Sequence, residues 1–272
     1  MKRNKPKYIA ILLGTLLAIL WLSPFYLMIV NSFKTKKEIF TDTVALPDVF
    51  TFANYVEAFE GLDFIRTFFN SVLITAVAVV VIVIFSSMAA YALSRRGGKV
   101  SMIIFFLFVG AMLIPFQSVM IPLVTIFGKL EFLNRAGLIF MYLGFGASLS
   151  IFLYHGTLSG ISKSLDEAAT IDGASRLQVF WYIIFPMLKP VTVTVAILNV
   201  IWIWNDYLLP SLVINKPGME TIPLKMFFFF GEYTKQWHLA LAGLTIAIIP
   251  VIIVYFFLQK QIIKGISEGS VK

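Results

Sequence analysis

Six stretches of this sequence run for more than 20 residues with at most one charged side chain. They cover residues 8–33, 67–94, 100–128, 136–162, 190–215 and 236–259, and Asp206 is the one charge among them. A hydrocarbon core of roughly 30 Å is crossed by about 20 helical residues. A helix on a soluble core keeps a polar face, so it does not stay uncharged for seven turns. The pattern therefore predicts an all-α membrane protein with six transmembrane helices. Composition agrees: 59% of the 272 residues are hydrophobic and 13% charged, with a mean hydropathy of +0.90, against about 25% charged in a soluble domain.

The distribution of Lys and Arg predicts orientation, because basic residues collect on the cytoplasmic side. With residues 1–7 inside, 13 of the 22 basic residues fall in inside segments, but only four of the 14 acidic ones. Both termini are then cytoplasmic, in a multi-pass protein of the cell (inner) membrane. The net charge of +8 is explained by this asymmetry and does not imply nucleic acid. The basic head and apolar run at the start look like a signal peptide. The run exceeds the usual ~7–15 residues and lacks a convincing small-x-small cleavage site, so residues 8–33 read as an uncleaved first span. With no cysteine, there is neither a disulfide framework nor a thiolate metal site.

The expected organisation is a cytoplasmic N-terminus at 1–7, a first transmembrane helix at 8–33 and an extracytoplasmic loop at 34–66. A permease core of five helices follows at 67–263, then a cytoplasmic tail at 264–272. The loop at 34–66 either meets an external partner or is a solvated connection. Within the core, residues 161–189 form a cytoplasmic loop. There, Ser164 and Glu167 have capping-box spacing, and Asp166 and Glu167 sit where a helix dipole favours negative charge. Gly173 is placed to end that helix in a left-handed conformation. Ser175 and Gln178 repeat the capping pattern, and Pro186 stops the second helix. Ala168 and Ala169 let a short helix approach another surface closely. Such a helix is either a docking element or an interfacial helix resting on headgroups.

This loop resembles the signature loop of ABC-importer permeases: Glu-Ala-Ala, three residues, Gly, nine residues, Ile, one residue, Leu, Pro. Here it reads Glu167-Ala168-Ala169, Gly173, Ile183 and Pro186, with Phe185 in place of the usual Leu. Trp204-Asn205-Asp206-Tyr207-Leu208-Leu209-Pro210 resembles the fifth-span motif of carbohydrate permeases. The 31–40 segment with Asn54-Tyr55 is similar to their first outer loop. The tail at 264–272 is similar to that of the second permease in maltose-type systems, Glu268 departing from the usual small residue. The likeness covers essentially the whole chain.

The resemblance implies half of the translocation pathway of a sugar or oligosaccharide importer, working with a second permease subunit, a pair of ATP-binding subunits, a solute-binding protein and the bilayer. It assigns coupling to the ATPase to Glu167, Ala168, Ala169, Asp172, Gly173 and Pro186, and tail contact with it to Gly265 and Gly269. The chain carries no phosphate-binding Gly-x-x-x-x-Gly-Lys-Ser/Thr loop, so ATP and magnesium are expected on the partner ATPase and no cofactor on this chain. The alternatives are a permease for a phosphorylated polyol and an ion-coupled secondary transporter. The latter predicts buried acids or charge pairs in mid-span, and the spans show none.

Candidate pathway residues are Asn199, Trp202, Asn205, Asp206, Tyr207 and Gln117. Aromatic faces stack on sugar rings, and amides or carboxylates bond hydroxyls, but Trp and Tyr near Asp206 equally form an ordinary interfacial belt. Asn199 either faces a cavity or joins helices. Pro115 and Pro122 predict a bend or a packing kink in the third span. No nucleophile–base pair stands out, and His155 and His238 are far apart with no paired acids. Neither a catalytic nor a metal site is expected.

Overall fold

A computed structural model describes residues 5–214, 216–230 and 235–270; the side chains of residues 5–7, 254, 255, 257, 258 and 260–270 lie outside that description. Among the described residues the regular structure is all helical, with one isolated bridge, Phe230 to Lys235, outside the helices. In chain order the helices are α1 (Lys5–Ser32), α2 (Lys36–Thr41), α3 (Ala53–Gly61), α4 (Phe64–Arg96), α5 (Gly98–Ala111), α6 (Phe116–Lys129), α7 (Arg135–Leu158), α8 (Ser164–Ile171) and α9 (Arg176–Val179). A π-turn (Phe180–Ile184) leads into α10 (Phe185–Met187), α11 (Lys189–Asn205), α12 (Leu208–Val213), α13 (Ile222–Met226), a 3₁₀ turn (Phe227–Phe229) and α14 (Trp237–Ser270).

Of the six apolar stretches, three are single helices long enough to span: Tyr8–Ser32, Phe64–Arg96 and Arg135–Leu158. Two are bent pairs. α5 and α6 meet at 102°, and the segment Arg176–Met187 meets α11 at 78°. Pro115, in extended conformation at the head of α6, accounts for the first break, since a proline there has no N–H to continue α5. The sixth stretch holds a shorter apolar helix, Trp237–Ile253.

The fifth stretch differs from one continuous span. α11 ends at Asn205, Asp206 is extended, and α12 restarts at Leu208. The 34–66 loop contains two helices. α2 opens with a capping box in which Thr35 and Glu38 cap each other's backbone N–H.

Contacts divide the chain into two units, one of Met1–Ile65 with Lys225–Val254, the other of Arg66–Leu224 with Tyr255–Lys272. In the second, Ile74, Ala78 and Ile82 of α4 pack with Leu138 and Met141 of α7, Ile203 of α11 and Val213 of α12. A neighbouring cluster joins Ala90 of α4 and Ile151, Tyr154 and Leu158 of α7 to Ala169 of α8, Val179 of α9 and Ile184 of the π-turn. The α8–α9 loop is thus built into the core of the bundle.

Candidate functional site

Helix α8 begins one residue earlier than a Ser164 cap predicts. The expected Ser164–Glu167 box is not formed. Lys163 already has helical angles and occupies the cap position without a side-chain bond, and its carbonyl accepts from the Glu167 N–H at 3.1 Å. Ser162 takes over, its hydroxyl accepting from the Ser164 N–H at 3.2 Å. The end of α8 follows the expectation. Gly173 has φ +88°, its N–H donates to Thr170, and the Ala174 N–H reaches back to Ala169 at 2.9 Å. This crossed pair satisfies the last carbonyls and needs a left-handed residue at Gly173.

The Ser175–Gln178 capping box forms as expected, with the Gln178 amide oxygen accepting from the Ser175 N–H at 2.7 Å. Pro186 does not stop the second helix. Bonding shifts to the wider π spacing over Phe180–Ile184, and the turn continues through Pro186 to Met187. Extra residues per turn relieve the clash a proline ring would otherwise make. The chain bends instead at Leu188 (φ −81°, ψ 0°).

The residues expected to couple to an ATPase divide between buried and exposed positions. Ala169 is buried in the core cluster. Glu167, Ala168, Asp172, Gly173 and Pro186 are exposed. Beside them Ile171 is 85% exposed. Glu167, Ala168 and Ile171 lie at helical spacing along one outward stripe. Asp166 points the other way. Its carboxylate accepts from the Tyr91 hydroxyl at 2.5 Å and pairs with the Arg95 guanidinium at 3.0 Å. Arg95 also donates to the Ile161 carbonyl at 3.1 Å. These groups line an open groove of about 970 Å³ with Arg96, Lys163, Arg176 and Phe180. The pair Tyr91–Arg95 was not among the residues expected from sequence. The signal was present in Arg95-Arg96 at the end of an apolar run, but it carried only topology.

The pathway candidates are not gathered into one site. Asp206 is committed to the fold: one carboxylate oxygen accepts from the Tyr142 hydroxyl at 2.9 Å, the other from the N–H groups of Leu208 and Leu209 at the start of α12. Asn199 is buried and bonds the Ser150 hydroxyl and the Val195 carbonyl, which makes it a joint between α7 and α11. Asn205 is exposed, with its amide turned back onto Ile201. Tyr207 packs against the core of the bundle, and Trp204 meets Phe68 edge-on. Gln117 lies exposed on α6. Asn199 and Trp202 share a shallow groove of about 160 Å³ with Phe145, Gly146, Leu149 and Leu198. Among the described residues, no group of three His, Asp or Glu side chains could hold a metal ion. Gly265 lies within α14, and so does Gly269, in the stretch whose side chains are outside the described residues.

Residues 82–268 match the family described as binding-protein-dependent transport system inner membrane component. A probable starch degradation products transport system permease protein of Thermoanaerobacterium thermosulfurigenes is 57% identical, over all of this chain and 99% of that one. A multiple sugar-binding transport system permease protein of Streptococcus mutans is 38% identical, over 98% and 96% of the two chains. A melibiose/raffinose/stachyose import permease protein of Bacillus subtilis is 35% identical, over 99% and 98%. Among solved structures, a chain from a bacterial ABC transporter involved in import of the acidic polysaccharide alginate superposes with a TM-score of 0.76. Its identity is 27%, over 96% of this chain and 98% of that one.

Proposed function

This chain belongs to the family of binding-protein-dependent transport system inner membrane components, and from that premise we propose that its α8 helix is the lever by which a separate ATPase drives it. It is a membrane-spanning permease subunit of an ABC importer. Its cargo is a sugar or oligosaccharide, the class named for the relatives that match along the full chain. It forms half of the pathway and pairs with a second permease subunit. Two ATP-binding subunits hold the ATP and magnesium, a solute-binding protein delivers the cargo, and this chain has no ATPase site of its own. Both termini and the α8 loop lie on the cytoplasmic side.

The observation that carries this reading is the two-sided character of α8. Glu167, Ala168 and Ile171 face outward with small or apolar side chains beside a single acid, as a helix seated in a partner's groove requires. Asp166 and Ala169 hold the opposite side to the bundle. When the ATPase pair closes, α8 moves with its groove. The load passes to α4 through Asp166, to α7 through Ala169 and to α11 through the chain itself. The outcome is rigid-body rocking of packed helices.

Ala168→Trp adds bulk on the outward stripe alone. Co-purification of the ATPase with the variant is expected to fall while membrane insertion is unchanged. Full ATPase recovery with normal sugar uptake would remove α8 as the docking element. Because the chain has no cysteine, single cysteines at Gly173 and Glu60 read orientation directly. An impermeant maleimide added to whole cells should label Glu60→Cys and spare Gly173→Cys.

A further inference from the structure

The groove beside α8 gathers more positive charge than the fold uses. It is an open space of about 970 Å³ between the last turns of α4 and the α8–α9 loop. Asp166, in its lining, is answered by Arg95 at 3.0 Å. That leaves Arg96, Lys163 and Arg176 in the lining against one further carboxylate, Glu167. All three cations are exposed, and among the described residues none of them forms an ion pair. The buried Nε–H of Arg95 also donates to no acceptor. Three elements bring these cations together: α4 ends at Arg96, Lys163 is the cap residue of α8, and Arg176 opens α9. Like charges collected in one concavity repel each other and raise the local potential, which an anion in the groove would reverse.

An apolar stripe leads into the same groove. Phe85, Met88, Ala92 and Arg96 recur at helical spacing along one side of α4. Phe85 is 59% exposed, Met88 is half-buried and Ala92 is exposed. Met88 and Ala92 line the groove together with the cations. Phe85 and Arg96 are eleven positions apart, about 16 Å along the axis, which is close to half of a roughly 30 Å hydrocarbon core. The opposite wall marks the same depth. The segment Arg176–Met187 meets α11 at 78° where that apolar helix starts, so it runs across the direction of a span at the span's end. There it exposes Trp181 and Tyr182, at 37% and 79%, residue types that settle at the headgroup level. A soluble anion has no use for an apolar stripe ending at its site. A phospholipid does, with its chain in hydrocarbon and its phosphate at the boundary.

We propose that this groove binds an anionic phospholipid of the leaflet that holds the C-terminal end of α4. Its phosphate lies among Arg96, Lys163 and Arg176, and one acyl chain follows Ala92, Met88 and Phe85. Basic pockets between membrane helices take anionic headgroups in this way. A zwitterionic headgroup carries its own cation and answers the three side chains less well. The lipid bridges α4 to the α8–α9 loop beside the Arg95–Asp166 pair. Ala168 lies outside the lining, so the lipid leaves that side of α8 open. The proposal rests on α4 crossing the bilayer and not on α8 carrying the ATPase.

A fluorophore on Ala92→Cys reports on the groove in the assembled transporter, with Met88→Cys as the alternate should the first fail to insert. The transporter is placed in phosphatidylcholine vesicles containing brominated phosphatidylglycerol or brominated phosphatidylcholine, whose bromines quench on contact. Half-maximal quenching should need at least about fivefold less of the anionic lipid, the effect of a single basic contact with its headgroup. Combining Arg96→Gln, Lys163→Gln and Arg176→Gln should remove that preference while quenching by brominated phosphatidylcholine persists. Lys163→Gln alone should reduce it, and stands in if the triple variant does not insert. Inorganic phosphate should displace the anionic lipid no better than chloride at equal ionic strength. Equal quenching by the two lipids would make the groove ordinary lipid boundary, and quenching by neither would mean that a protein covers it. A preference that survives the cation replacements would place the lipid elsewhere, and displacement by phosphate would make this a soluble-anion site. Each of these results overturns the proposal.

Discussion

The Arg95 guanidinium stands 3.0 Å from the Asp166 carboxylate and ties the last turn of α4 to the first turn of α8. Both side chains are mostly buried, at 14% and 17% exposure. Helix α8 is therefore fastened to a helix that is not adjacent to it in sequence. Removing one partner of a largely buried ion pair strands the other charge and costs about 3 kcal/mol. Arg95→Ala and Asp166→Ala should each lower the thermal midpoint of the purified transporter, and the double variant should lose little more than the worse single one. Additive losses would show that the two groups act independently.

Gly173 has open space around the position of a Cβ, so a substitution there meets only backbone strain. A left-handed residue with a Cβ costs about 1–2 kcal/mol, and Asn tolerates the conformation better than other residues. ATPase recovery with the permease should fall in the order Gly, Asn, Ala, Val, with insertion into the membrane unchanged. Normal transport by Gly173→Val would refute the lever.

Gly146 lets three helices meet. A Cβ there would lie 2.6 Å from the Asn199 amide oxygen of α11 and 2.7 Å from Ile82 of α4. Gly146→Ala is expected to destabilise the protein by about 1–3 kcal/mol through overpacking, and pairing it with Ile82→Val should recover part of the loss. Thermal unfolding in detergent measures both.

Because the Asp206 carboxylate is occupied by Tyr142 and the start of α12, Asp206→Ala should reduce the maximal transport rate and the stability. The half-saturating sugar concentration should stay constant, and Tyr142→Phe should reproduce the pattern more weakly. A selective rise in half-saturation would place Asp206 on the pathway instead.

The Glu38 carboxyl is held below the ordinary carboxylate range, first by the Thr35 N–H and then by the Thr35 hydroxyl. A depressed pKa means the capped form is favoured above the unfolded value of about 4.3 and loses its advantage as pH falls through the lower folded value. Hydrogen exchange in α2 should be flat from pH 7 down to about 5, after correction for intrinsic rates, and protection should drop only in acid. Thr35→Val should raise the pH at which protection is lost.

Much of the fold was legible in the chain because the bilayer imposes a one-dimensional rule. Twenty apolar residues in a row report a span regardless of what packs beside them. The bends were less visible. Pro115 marked its own break, but the π-turn that carries the chain past Pro186 depends on packing of Phe180 and Ile184 in the core. The Ser164 cap failed for a similar reason: the Lys163 carbonyl takes the Glu167 N–H that a Ser164 cap would need, and spacing alone does not choose between them.

Local sequence determined the long apolar helices, the left-handed turn at Gly173 and the Ser175–Gln178 cap, since each depends on residues within one helix or one turn. Only the tertiary structure decided the rest. It turned Asp166 inward to Arg95, spent Asp206 on Tyr142, made Asn199 a joint and separated residues that looked like one sugar site. A polar side chain in a membrane bundle bonds whichever neighbour the packing brings within about 3 Å, and those neighbours come from helices about 50 to 75 positions away.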